Sequence, residues 1–154
     1  MLNIGRADIR GMDITAEAGY ALNSEWTLLA RLAYTLQKAI DLSNPGLTTY
    51  KNELPYTPRH SGSAFAGASW RNWSAGWTAI LSGKRYVLGD NHPANQVVGW
   101  MTNDLSLKKT IHLQQRSASI GLFANNVFDV RYDVIRYYPM PGRNYSIQLQ
   151  IQQL

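Results

Sequence analysis

Apolar and polar side chains alternate along most of this chain, with a period of two and not the 3.6 of a helix. From Ile14 the even positions read Ile14, Ala16, Ala18, Tyr20 and Leu22, with Thr15, Glu17 and Gly19 between them. A short polar turn, Asn23-Ser24-Glu25, separates this run from Trp26, Leu28, Ala30, Leu32, Tyr34 and Leu36, which oppose Thr27, Arg31, Thr35 and Gln37. Two alternating runs joined by a tight turn predict a hairpin. A helix is the rival reading of residues 26–40, because Leu, Ala, Arg, Gln and Lys are good helix formers. The placing of Arg31 and Gln37 against Leu32 and Leu36 favours a strand.

The same rhythm continues to the C-terminus. A third strand carries Ala64, Ala66, Ala68 and Trp70, and after Arg71-Asn72 a fourth carries Trp73, Ala75, Trp77, Ala79 and Leu81. A fifth is expected around Trp100 to Lys108, followed by a modest turn within residues 108–113. The sixth shows Ala118, Ile120, Leu122 and Ala124, and the last shows Tyr145, Ile147, Leu149 and Ile151 against Ser146, Gln148, Gln150 and Gln152. Long connections rich in Asn, Pro and Gly fall at about 41–55, 83–96 and 126–141. Connections therefore alternate short and long. Tight turns on one side and extended loops on the other are expected of an outer-membrane β-barrel, and several runs exceed the ten or so residues that cross a bilayer at a tilt. The expected fold is all-β: an antiparallel meander of about seven long strands, one domain over residues 1–154, forming part of a transmembrane β-barrel.

Alternation alone does not say which face is inside, since a soluble barrel reverses the assignment. Tyr20, Trp26, Tyr34, Trp70, Trp73 and Tyr145 stand near strand ends on the apolar side, where interfacial girdles place aromatics. The apolar face is thus expected to meet lipid, and Glu17, Arg31 and Gln37 to face the lumen or whatever fills it.

Composition agrees with this picture. Nine Tyr and five Trp outnumber three Phe, and charged residues make up only 16%, below the roughly 25% of soluble domains. Mean hydropathy is −0.28, an uninformative average for a wall whose two faces cancel. No cysteine is present, which excludes disulfides and thiolate metal sites. The net charge is +5, but the cations are scattered, with no run beyond pairs such as Lys84-Arg85 and Lys108-Lys109, so no nucleic-acid partner is expected. No apolar run approaches about 18 residues, so a transmembrane helix is excluded. MLNIGRADIRG lacks the apolar core of a signal peptide, which for an outer-membrane protein is read as truncation.

Candidate chemistry is sparse. His60, His92 and His112 share no ligand spacing and lie in or near predicted loops and turns, and no cofactor or metal site is expected. Asp129 and Asp133 are close in sequence but lack the context of paired-carboxylate catalysis, and no nucleophile elbow or phosphate loop is present. No catalytic residue is assigned. Candidate substrate contacts are Tyr50, Tyr86, Asp90, His92 and Tyr138, with Tyr137 a further loop aromatic suited to stacking. His92, with Asp90 beside it, is the best placed to contact a metal chelate, but a turn-forming loop tip is the favoured reading of the pair.

The order of NNVFD (Asn125 to Asp129), Tyr132, YPMPGR (Tyr138 to Arg143) and a terminal alternating strand resembles the C-terminal end of TonB-dependent outer-membrane receptors. LPYTPRHSG (Leu54 to Gly62) and the run from Gly83 through Tyr86, Gly89 and Asn91 to Trp100 resemble the Bacteroidetes-type members. The resemblance implies a barrel of about 22 strands with an N-terminal plug, importing siderophores, cobalamin, metal chelates or glycans with energy from an inner-membrane complex. It further implies that this chain is the C-terminal portion, with plug and earlier strands absent. Implied partners are outer-membrane lipid, the rest of the barrel and plug, and the TonB complex through the missing N-terminal part. The ending Gln152-Gln153-Leu154 departs from the terminal aromatic usual in the family. Two other readings are a small independent outer-membrane barrel, acting as a pore or adhesin, and a soluble all-β ligand-binding module.

Overall fold

A computed structural model describes residues 5–113 and 116–153. Its main element is a seven-stranded antiparallel sheet of β1 (Ala7–Ala21), β2 (Trp26–Asp41), β3 (His60–Trp70), β4 (Trp73–Ser82), β7 (Trp100–Leu113), β8 (Arg116–Asn125) and β11 (Asn144–Gln153), paired in that order. The long connections carry two ribbons of their own, β5 (Arg85–Tyr86) with β6 (Gln96–Val97), and β9 (Asp133–Ile135) with β10 (Tyr138–Pro139). Residues 26–40, where a helix was the rival, are strand. The expected turn within residues 108–113 is not there. β7 runs to Leu113, because Thr110 and His112 continue its ladder opposite Ser119 and Ser117. His112 is consequently a strand residue.

Register fixes the faces. Ile14 lies opposite Tyr34, Ala16 opposite Leu32, Ala30 opposite Ala66, Ala64 opposite Ala79, Trp77 opposite Leu105 and Leu107 opposite Leu122. These residues form one apolar face. The other carries Thr15, Glu17, Arg31, Thr78, Ser106, Ser119 and Gln148, so the predicted separation holds strand by strand.

Phe65, Trp100 and Phe123 interrupt the polar face, and two of them lie against glycines. Phe65 lies across Gly67 and Gly76: a Cβ on Gly67 would sit 2.8 Å from the ring, and one on Gly76 3.2 Å. Phe123 covers Gly121 in the same way, at 2.8 Å. Glycine is needed there because the ring lies flat where a side chain would stand.

The sheet has almost no core. Among the described residues only Ala39, Ala79 and Val97 are buried apolar residues, and no large side chain is fully buried. Leu32, Leu105, Leu122, Leu149 and Ile151 are all exposed. A water-soluble domain of this length buries most of its large apolar side chains. This one leaves a continuous apolar face that only lipid or another chain can cover.

At one end the strands are joined by tight turns, and the long connections gather at the other. At the turn end Asn23 Oδ1 accepts from the amides of Glu25 and Trp26, both at 2.9 Å. Trp26 stacks on Trp70 with centroids 5.8 Å apart, and the ammonium of Lys109 lies 4.3 Å from the Trp73 ring centre. Glu25 accepts from Arg71 at 2.8 Å and from Trp70 Nε1 at 3.3 Å, tying adjacent turns together.

Candidate functional site

The loop end holds the richest grouping of polar and aromatic side chains, and its construction begins with three residues. Asn91, with a left-handed backbone (φ 53°), donates from Nδ2 to Glu53 O at 3.0 Å and accepts from Glu53 N at 2.6 Å. This joins the 42–59 and 83–99 connections. Arg85 is buried, and Nη2 donates to the carbonyls of Asp133 and Val134 at 2.8 and 2.6 Å, joining 83–99 to the β9–β10 ribbon. Burial pulls the Arg85 pKa down, opposed by Tyr56 and Asp133, yet an arginine stays charged under ordinary conditions. Its charge is met by carbonyl dipoles. Asn126, buried and also left-handed (φ 50°), exchanges 2.9 Å bonds with both backbone groups of Val130, while its amide donates to Asp104 at 2.7 Å.

These anchors leave a cleft of about 640 Å³ between the 83–99 connection and the β9–β10 ribbon. Trp100, Tyr132, Tyr137, Arg131 and Arg136 are the lining residues with binding chemistry. Trp100 and Tyr132 pack with centroids 4.3 Å apart, and Trp100 Nε1 is buried without a hydrogen-bond partner among the described residues. Arg136 donates to Asn95 at 3.2 Å and lies over the Tyr137 ring. Asp129 and Asp133 also border the cleft, each accepting from a backbone amide: Arg143 N at 2.8 Å and Tyr137 N at 3.1 Å. Guanidinium groups beside aromatic rings suit an anionic or π-bearing ligand.

The sequence-predicted contacts are dispersed. Asp90 and His92 are adjacent but serve the turn: Asp90 accepts from His92 N and Asn95 Nδ2, and His92 Nδ1 accepts from Ala94 N. Those bonds, the His92 amide foremost, hold the Asp90 carboxyl below its ordinary value. Tyr86 sits in β5, its carbonyl accepting from Tyr56 N, and Tyr50 lies half-buried in the first long connection beside Lys51. Tyr138 is exposed on β10. None of these five lines the cleft, whereas Tyr137 does. On the polar face Arg31 and Glu17 form an exposed pair at 3.0 Å, and Gln37 donates to Pro58 O at 3.3 Å. Among the described residues no cluster of three His, Cys, Asp or Glu could hold a metal ion. Among the same residues no helix is long and apolar enough to cross a membrane.

The family model described as "TonB dependent receptor-like, beta-barrel" matches residues 1–127. The chain belongs to the TonB-dependent receptors.

These receptor barrels are bacterial outer-membrane transport proteins, not enzymes. No curated protein matches the chain. Similar solved structures include the ferric citrate transporter FecA in its unliganded form (TM-score 0.73, 16% identity, covering 82% of this chain and 21% of that one). The siderophore receptor PiuA from Acinetobacter baumannii gives 0.70 and 16% over 96% of this chain and 22% of that one. The copper transporter OprC gives 0.66 and 18% over 96% and 24%. At such identities the likeness is one of fold, and the chain spans about a quarter or less of these receptors' length.

As a receptor wall, the seven strands present the apolar face to lipid and the polar face to the lumen. Sequence reasoning missed Arg85, Asn126 and Trp100 as organisers of the loop end. Asn126 had a readable signal, since an Asn pair before an aromatic loop is a natural left-handed corner. Nothing local marked Arg85, whose partners lie 48 and 49 residues away.

Proposed function

We propose that the complete protein imports a metal chelate or comparable nutrient across the outer membrane, with energy relayed through TonB to a plug domain. The loop end faces outside and the turn end faces the periplasm. The observation that carries this reading is the cleft of Trp100, Tyr132, Tyr137, Arg131 and Arg136 at the loop end of a lipid-facing wall. A ferric citrate transporter, a siderophore receptor and a copper transporter among the similar structures favour a metal-containing anion over cobalamin or a glycan. Glu17, Arg31 and Gln37 line the transport path or contact the plug. Tyr50, Tyr86, Asp90, His92 and Tyr138 are outlying contacts that a larger substrate would reach.

The test is growth of a strain lacking the gene on a panel of iron and copper chelates, cobalamin and glycans, with uptake measured for the rescued substrate. Rescue by a chelate, with half-saturation rising about tenfold in Arg131→Ala or Arg136→Ala, is the expected result. Rescue only by a neutral glycan, unaffected by either substitution, would overturn it.

A further inference from the structure

We propose that Arg10 and Lys38 form a binding site for the phosphate groups of the outer-leaflet lipid. The two residues are direct partners across β1 and β2, one row beyond Met12 and Leu36 on the apolar face. Like charges facing each other across a ladder repel, so their placement calls for an anion. Arg10 is bonded through Nε to Asp8 at 3.3 Å but its side chain is 84% exposed, and among the described residues that single carboxylate leaves the group net positive. Lys38 has no ion pair or ring partner among the described residues. His60 is diagonal to Lys38 on β3, its Nδ1 2.6 Å from the Tyr34 hydroxyl, and adds a polar group to the same rim.

Depth places the pair at a headgroup. From the row of Tyr20 and Leu28 to the row of Arg10 and Lys38 the ladder runs ten positions, or about 33 Å along the strand. At the roughly 40° tilt of barrel strands this is about 25 Å across the membrane, the height of the apolar band. With Tyr20 and Trp26 at one boundary, Arg10 and Lys38 fall at the other. Cations at the turn end are differently engaged, Arg71 over Trp70 and Lys109 over Trp73. Among the described residues Arg10 and Lys38 lie over no aromatic ring, and they face the leaflet, where a phosphorylated glycolipid offers anionic oxygens to a guanidinium–ammonium pair.

The proposal rests on the loop end facing outside, so two measurements are made on the complete gene product. Leu47→Cys, at the loop end, is labelled on intact cells with a membrane-impermeant maleimide. Binding of purified protein in detergent is then compared for bisphosphorylated lipid A, dephosphorylated lipid A and inorganic phosphate. The expected result is labelling, binding that requires the lipid's phosphates, no competition by inorganic phosphate at matched concentration, and about thirtyfold weaker binding in Arg10→Gln/Lys38→Gln. Labelling together with equal binding of both lipid A forms would overturn the proposal while leaving the orientation intact, without relying on any variant's folding. Absence of labelling would remove the orientation and the proposal together. Undiminished binding in the double variant would assign the phosphates to other residues and overturn this site.

Discussion

The turn end and the loop end of this sheet are held together by different means. At the turn end, Trp26 meets Trp70, and Glu25 meets Arg71, because strand register brings adjacent hairpins side by side. At the loop end, Arg85, Asn91 and Asn126 bond to backbone groups that belong to no neighbouring strand of the main sheet. The first arrangement follows from alternation and turn length. The second depends on single side chains reaching across the chain, and it shapes the cleft. A receptor wall of this kind has a generic, register-built half and a specific, side-chain-built half.

The contrast between faces underlies both halves and gives the largest expected effect. Leu32→Arg, in the middle of β2 on the apolar face, should destabilise the folded wall by about 2–4 kcal/mol in a bilayer. Ser63→Arg, on the polar face of the neighbouring strand, should change it far less. Urea unfolding from lipid vesicles reads both, and equal losses would erase the distinction between faces.

Next in size is Arg85→Met. It leaves the carbonyls of Asp133 and Val134 without their donor, a local cost of about 1–3 kcal/mol. Hydrogen exchange should rise in residues 133–139 and stay unchanged in β1 to β4. A uniform rise would show that the loop end is not a separate unit. Asn126→Ala should cost about 1–2 kcal/mol through the lost amide clamp on Val130, with exchange faster in 126–132 and weaker ligand binding at the cleft.

The smallest effect belongs to the turn end. The hydrogen bond from Arg71 foremost, opposed by desolvation and helped by the bond from Trp70 and the charge of Arg71, holds the Glu25 carboxyl below its ordinary value of 4.5. A lowered folded value gives stability that is fully present above the unfolded value and lost as pH falls toward the folded one. The unfolding midpoint of the unaltered protein should therefore exceed that of Glu25→Gln slightly at neutral pH. The gap should narrow as pH falls below that ordinary value and vanish once Glu25 is protonated in the folded state too.

How far the molecule was legible in its sequence follows the same division. The strands, their faces and the two short turns within the described residues were readable because alternation is a local property that pairing preserves. β7 extends past the expected turn because its register with β8 carries the ladder on to Leu113, a long-range pairing that the local residues do not announce. Phe65 and Phe123 on the polar face were not foreseen, since the glycines they cover are on a neighbouring strand or two residues away. The loop end was least legible, although Asp90 and His92 serve the turn that their sequence favoured. Arg85 looked like half of a surface dipeptide and is the buried link between two connections.

The central claim is that one face of this sheet meets lipid and the other a wet lumen, and scanning β2 tests it most directly. This chain has no native cysteine, so in the complete protein, with any cysteine outside it replaced, single cysteines at successive positions 29–36 can carry a spin label in outer-membrane vesicles. Collision with dissolved oxygen, which favours lipid, is compared with collision with a water-soluble nickel chelate. The account predicts strict alternation, with oxygen dominant at 30, 32, 34 and 36 and nickel dominant at 29, 31, 33 and 35. The reverse phase, or no alternation, would contradict it.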